Sequence, residues 1–275
     1  FQKKSDCIVC IDSDGCAMDT MEVKHRTCFG PQWIKTFGLT EHEAECMELW
    51  LSINLYSITR GINRFKGLAL ALAEVEKRGL GNIEGLAEYE AWTKEAKELS
   101  NPALLAVTQK SDNPCFEKAL LWSIRTNRAI HALPADDRPI PNVKSAMDAM
   151  AKQADLAANR EAVEAEWGRH HLAEDCSTLL TQEAGTKAFC IGELKKMGYE
   201  PGRILMVGDA PGDRDAAEKN GVRFYPILVG HEGESWKCLL EEAFPKLLAG
   251  SFDAKYQKEL NQAFEQNLGV HADSE

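Results

Sequence analysis

Two carboxylates stand two residues apart in Ile11-Asp12-Ser13-Asp14-Gly15-Cys16, where an apolar run breaks into a glycine turn. Like charges this close raise each other's pKa unless a cation intervenes. The pair therefore suits a divalent metal, and it suits splitting into one ionised and one protonatable carboxyl. A local turn alone accounts for Asp14 and Gly15 but leaves the apolar run that delivers Asp12 unexplained. A second cluster has the same form: Ile204-Leu205-Met206-Val207-Gly208-Asp209 ends an apolar run in Gly-Asp, and Asp213 follows across Pro211 and Gly212. Oxygen-rich, histidine-free clusters of this kind suit magnesium, which keeps several waters and takes one or two carboxylates plus substrate oxygens.

The elements that must carry these groups are readable in outline. Cys7 to Ile11 is short and uniformly apolar, the pattern of a strand buried on both faces of a parallel sheet, and chemistry collects at the carboxyl ends of such strands. Cys7 and Cys10 form a C-x-x-C, but on a strand they point to opposite faces, which fits core packing and not a metal knuckle. From Cys16 to about Arg138 the periodicity is helical throughout, with a helix start at Ser100-Asn101-Pro102. The proline-rich stretch Leu133 to Pro141 returns the chain to the core. Beyond it a helix is expected over 142–153, another over 159–167, a weak strand near 178–181 and a helix over 187–197. A strand over 203–208, a short helix after Asp213, a strand over 222–229 and two terminal helices complete the series. Alternation of this kind specifies an α/β fold with a doubly wound parallel sheet, interrupted by an all-helical insert.

The acidic segments resemble the signature motifs of the haloacid dehalogenase superfamily. Asp12-Ser13-Asp14-Gly15 with Asp19 beyond is similar to its first motif, and Gly208-Asp209 with Asp213 to its last. The resemblance implies a Rossmann-like core from 1–15 and 139–275 and a helical cap domain from 16–138. It also implies a phosphohydrolase: Asp12 would attack phosphorus, and Asp14 would act as general acid and base. Mg2+ would be held by Asp12, Asp14 through its main-chain carbonyl, and Asp209, with Asp213 in support. Lys187, opening a helix after Gly185-Thr186, matches the family's lysine motif and would offset charge on the phosphoryl group. An acid at position 14 sets the phosphatase branch apart from the dehalogenase and phosphonatase branches, because an alkoxide leaving group must be protonated. Cys16 stands where the family usually has Thr. A phosphomutase using the same site, and a catalytically impaired binding or regulatory protein, are the alternatives.

One motif is missing. The family ends the strand after the cap in a phosphate-binding Ser or Thr, whereas only Ala154, Asp155, Leu156, Ala157 and Ala158 lie between the two expected helices. A strand usually runs five or six residues. The expectation is therefore that a few residues, the Ser or Thr among them, are absent between Ala154 and Asn159, with a jump at Ala157–Ala158. Ser145 lies upstream on a helix, and Ser177 and Thr178 lie too far along.

Composition narrows the partners. A formal net charge of -11 and no Lys/Arg-rich run exclude a nucleic-acid stripe and favour a small phosphorylated metabolite as substrate. No stretch approaches a membrane span, and Phe1 to Asp6 is too polar for a signal peptide. Nine scattered cysteines fit a reducing cytoplasm. In the cap, Arg60, Asn63, Arg64 and Lys66 around Gly61 form the densest polar patch, with Lys24 and His25 a second. Arg60, Asn63, Arg64 and Lys24 are the candidate substrate contacts. His170 and His171 read as capping or surface residues, and Trp33, Trp50, Trp92, Trp122 and Trp167 as core.

Overall fold

The computed structural model describes residues 3–134, 137–159, 166–180 and 186–270. In chain order, β1 (Ile8–Ile11) precedes seven helices: α1 (Met21–Lys24), α2 (Gly30–Phe37), α3 (Glu43–Leu55), α4 (Arg64–Lys77), α5 (Leu86–Glu95), α6 (Asn101–Thr108) and α7 (Pro114–His131). Then come α8 (Val143–Met150), β2 (Asp155–Asn159), β3 (Thr178–Leu180), α9 (Lys187–Lys196), β4 (Ile204–Gly208) and α10 (Pro211–Asn220). β5 (Arg223–Pro226), α11 (Glu232–Cys238), α12 (Phe244–Ala249) and α13 (Ala254–Val270) finish the chain. Two units result, one from Phe1–Thr20 and Asp137–Glu275, the other Met21–Asp136. The expected boundary after residue 15 moves to Thr20, because Cys16 to Thr20 are stitched into the first unit. Ile140 N–H donates to Ala17 O at 2.9 Å, Asp19 N–H to Arg138 O at 2.8 Å, and Met18 bridges Pro139.

The first unit holds a five-stranded sheet in the order β3-β2-β1-β4-β5, every pair parallel. Both central strands are sealed on both faces, which is why Ile8–Ile11 and Ile204–Gly208 are apolar without alternation. One face packs Val9, Ile11, Leu205 and Val207 against Val143, Met147 and Met150 of α8, with Trp167 and Trp236 in the same cluster. From β1 the chain goes to β2 on one side and later to β4 on the other. The crevice of an open α/β sheet forms at such a reversal, outside the carboxyl ends of the strands. Register places Ile11 opposite both Val207 and Ala158, so Asp12, Gly208 and Asn159 come next at one level.

β2 corrects the expectation of missing residues. The ladder runs unbroken from Asp155 opposite Ile8 to Ala158 opposite Ile11, and no jump separates Ala157 from Ala158. Leu156, Ala157 and Ala158 are buried although two are alanines. Between two partner strands, backbone pairing makes a strand that side-chain apolarity alone does not announce. Asn159 is therefore the last strand residue and not a helix start, and it holds the place where a Ser or Thr was expected. Residues 160–165, the bulk of the expected helix, lie outside the described residues; Trp167–His170 is a single 3-10 turn.

The helical unit is held by an aromatic cluster. Trp50 lies 5.7 Å from Trp33 and 5.6 Å from Trp122, ring centre to ring centre. Its helix starts are capped as the sequence specifies: Ser100 accepts from Ala103 N–H at 3.3 Å, and Asn113 from Cys115 N–H at 2.8 Å. Among the described residues no helix is long and apolar enough to cross a membrane. All nine cysteines are free thiols, Cys7 and Cys10 buried in the sheet as expected of core residues.

Candidate active site

Asp12 follows the last residue of β1 and is tied to β4 by its N–H, which donates to Val207 O at 3.0 Å. Asp209 follows the last residue of β4, and Asp213 lies in the first turn of α10. These three offer carboxylate oxygens all within 4.8 Å of one another. Lys187, the first residue of α9, reaches the cluster with its ammonium 2.9 Å from Asp12 Oδ1 and 2.5 Å from Asp213 Oδ1. Thr186 sets that approach by capping α9, its hydroxyl accepting from Phe189 N–H at 3.2 Å.

Gly208 makes room for this arrangement. A Cβ there would stand 2.3 Å from Cγ and Oδ2 of Asp213, so the Gly-Asp that ends β4 is a steric requirement of the carboxylate behind it. Asp213 is completely buried, and its Oδ2 accepts from Ala210 N–H at 3.1 Å. Burial raises the Asp213 carboxyl to about 7; Lys187 works against the rise, while Asp12 and Asp209 add to it. For Lys187, burial disfavours the ammonium, but Asp12 and Asp213 outweigh it and hold the group well above the ordinary lysine value. The Lys187 side chain keeps 45% of its surface exposed, so solvent screening discounts the strength of the pair. With all three acids ionised, one ammonium leaves an excess of two negative charges, which a divalent cation would balance. An all-oxygen donor set of this size fits Mg2+. Asp12, Asp209 and, from α10, Asp213 would hold it, although both oxygens of Asp213 are already engaged.

The turn after Asp12 is organised around Ser13, whose carbonyl accepts from the N–H groups of Cys16, Ala17 and Met18 at 3.1, 2.9 and 2.9 Å. Gly15 takes φ of 77°, which a side chain would oppose. Asp14 is half-buried, and its Oδ1 accepts from the Thr20 hydroxyl at 2.5 Å. Cys16 is buried behind the acids; burial first, then the charges of Asp12, Asp209 and Asp213, push its thiol well above the usual range. Asp19 is exposed. The contributions of Thr20, of Ser13 and of Trp167, whose indole N–H donates to Ser13 Oγ at 2.9 Å, were not legible in the sequence. Nothing in their spacing signals them.

The candidates in the helical unit have different surroundings. Arg60 is buried, and its guanidinium donates to Leu55 O at 2.8 Å. Asn63 caps α4, accepting from Phe65 N–H at 3.0 Å. Arg64 is half-buried, bonds Asn127 Oδ1 at 2.6 Å, and lies 5.1 Å from the centre of the Phe29 ring. Lys24 ends α1, half-buried. His25 is buried and accepts from the Trp50 indole at 3.0 Å, so it belongs to the helical core. His170 lies 3.3 Å from Asp137, and His171 lies 2.7 Å from Glu174.

No protein-family model matches this chain, and no curated protein matches it. Similar solved structures exist. A protein assigned as a phosphoglycolate phosphatase from Lactobacillus delbrueckii subsp. bulgaricus is 14% identical over 83% of this chain and 87% of its own, with a TM-score of 0.47. A haloacid dehalogenase-like family hydrolase from Streptococcus pneumoniae is 11% identical over 84% and 90%, with a TM-score of 0.42. A HAD-superfamily hydrolase of subfamily IA from Geobacter sulfurreducens is 15% identical over 80% and 88%, with a TM-score of 0.41.

Proposed function

We propose that this chain is a magnesium-dependent phosphohydrolase of the haloacid dehalogenase type, acting on a small phosphorylated metabolite. The observation that carries the reading is the convergence of Asp12, Asp209 and Asp213 within 4.8 Å, with the Lys187 ammonium 2.9 Å from Asp12, at the sheet's reversal point. Asp12, with 18% of its side chain exposed, is the one member of the acidic trio open enough to meet a substrate. Its carboxylate attacks phosphorus, the phosphorus–oxygen ester bond breaks, and the Asp14 carboxyl gives its proton to the departing alkoxide. Asp14, now ionised, takes a proton from water, which attacks the aspartyl-phosphate and frees Asp12 and inorganic phosphate. Thr20 orients Asp14 for both transfers, and Asp213 holds Lys187 where it faces the nucleophile. Bound magnesium would neutralise charge developing on the phosphoryl oxygens.

Asn159 at the end of β2 favours a second reading, a chain that binds phosphate esters without turning them over. A magnesium-dependent assay of phosphate release across sugar, nucleotide and amino-acid phosphates separates the two. The wild-type protein is expected to turn over at least one ester, and Asp12→Asn to lose about a thousandfold or more. Retention of a tenth of the activity in Asp12→Asn overturns the nucleophile assignment.

A further inference from the structure

Trp167 reads from sequence as a core residue, and its ring is fully buried. Its one polar atom goes to an informative place. The indole N–H donates to the hydroxyl of Ser13, the residue between the two acids, at 2.9 Å. Ser13 is itself buried and receives three backbone N–H groups on its carbonyl, so it is the pivot on which Asp12 and Asp14 are both hung. A second buried indole grips the same turn, Trp236 Nε1–H donating to Cys16 O at 2.8 Å. Trp167 is anchored in its turn: Arg169 and His170 of the same 3-10 turn both pair with Asp137, next to the Arg138–Ile140 strap that bonds Ala17 and Asp19. The loop from Ser13 through the strap and back by way of Trp167 is thus closed by hydrogen bonds.

A tryptophan that only filled space would leave its N–H to any nearby carbonyl, or to none. This one is spent on the side chain of the residue flanked by both acids. We propose that Trp167 is a positioning residue: through Ser13 it fixes the turn that sets the direction of Asp12 and Asp14 relative to each other. The proposal rests on the reading of those two acids given above. Near-attack geometry is sensitive to small displacements, and misplacement by about 1 Å can cost about a hundredfold in rate.

The test compares Trp167→Phe, Ser13→Ala and the double variant with Trp122→Phe, which loses a similar indole bond, to Phe29 O at 3.2 Å, in the helical unit. Trp167→Phe is expected to lower kcat between about tenfold and a hundredfold while KM stays within about twofold. Trp122→Phe should lower Tm and leave kcat unchanged. Ser13→Ala should reproduce the kcat loss, and the double variant should lose no more than the worse single change, since both remove one bond. Should Trp167→Phe fail to fold, Ser13→Ala carries the same comparison. Equal kcat in Trp167→Phe and Trp122→Phe, or losses that multiply in the double variant, overturn the proposal. If the wild-type protein turns over no phosphate ester, the functional reading fails by itself. The positioning proposal is then decided by the 13C resonance of the Asp14 carboxyl: a shift in Trp167→Phe but not in Trp122→Phe supports it, and an unmoved resonance refutes it.

Discussion

Replacing Gly208 by alanine adds a single methyl group, and the structure states what that group would meet. The new Cβ would sit 2.3 Å from Cγ and Oδ2 of Asp213 and 2.5 Å from its Cβ. Ordinary contact at such a site begins near 3.4 Å, so Asp213 must retreat by about 1 Å, and it is fully buried with α10 holding its backbone. A retreat of that size breaks the 2.5 Å bond to Lys187 and the 3.1 Å bond from Ala210 N–H. Hydrogen bonds to a charged partner contribute about 1.5–3 kcal/mol each, so the two together, with the half-exposed Lys187 pair discounted for solvent screening, put the loss at about 3–5 kcal/mol. For a chain of this size that lowers Tm by roughly 6–20 °C. Gly212→Ala is the matched control: no atom lies within 4 Å of its Cβ, and a helix position gains up to about 1 kcal/mol from alanine. Thermal and urea unfolding of both variants should show Gly208→Ala with a reduced midpoint and unchanged slope, and Gly212→Ala at or above wild type. A Gly208→Ala protein within 2 °C of wild type, a margin set at roughly half the shift of a 1 kcal/mol change, would show that the Asp213 contacts do not constrain the strand end.

Two further outcomes follow from single groups. Lys187→Met leaves Asp12 and Asp213 without their shared cation; kcat is expected to fall about a hundredfold or more, at about 2.7 kcal/mol for a lost electrostatic contact in the site, as initial-rate kinetics would show. Wild-type kcat in this variant removes Lys187 from the mechanism. At the other end of β2, Asp155 is buried, and its Oδ2 accepts from Lys4 N–H, Ser5 N–H and the Tyr199 hydroxyl at 3.0, 2.9 and 2.6 Å. Burial alone would raise this carboxyl, but those donors outweigh it and hold it below the usual value. A depressed carboxylate contributes stability that is present above the unfolded pKa of about 3.9 and is lost as pH falls through the folded value. Asp155→Asn should therefore cost about 2 kcal/mol at neutral pH and flatten the stability loss below about pH 4, read as Tm against pH. Parallel wild-type and variant curves through that range would refute the assignment.

The residues that announced themselves were those for which local sequence and tertiary demand coincide. Ile8–Ile11 and Ile204–Val207 are apolar because both faces of their strands are covered, and a strand's carboxyl end is where Asp12 and Asp209 had to emerge. Lys187 was picked out by the resemblance to a family motif, at the start of the helix that Thr186 caps. β2 was not readable: Asp155-Leu156-Ala157-Ala158-Asn159 owes its strand to the partners on either side, and alanine carries no β signal of its own. That error produced the expectation of missing residues. Arg60 and Asn63 show a different kind of gap between sequence and structure. Polar side chains around a glycine read as one patch in sequence, whereas Arg60 donates to Leu55 O and Asn63 caps α4. Contacts between residues far apart in the chain, such as Trp167 to Ser13, leave no periodic trace at all.

The central claim is that the phosphoryl group passes through Asp12. Mixing the protein with Mg2+ and a turned-over ester, quenching in acid and reducing with borohydride converts an aspartyl-phosphate to homoserine. Peptide mass spectrometry should then find that conversion at Asp12 and nowhere else, and none in Asp12→Asn. Turnover without any trapped residue, or with the phosphoryl group on a different side chain, would contradict the account.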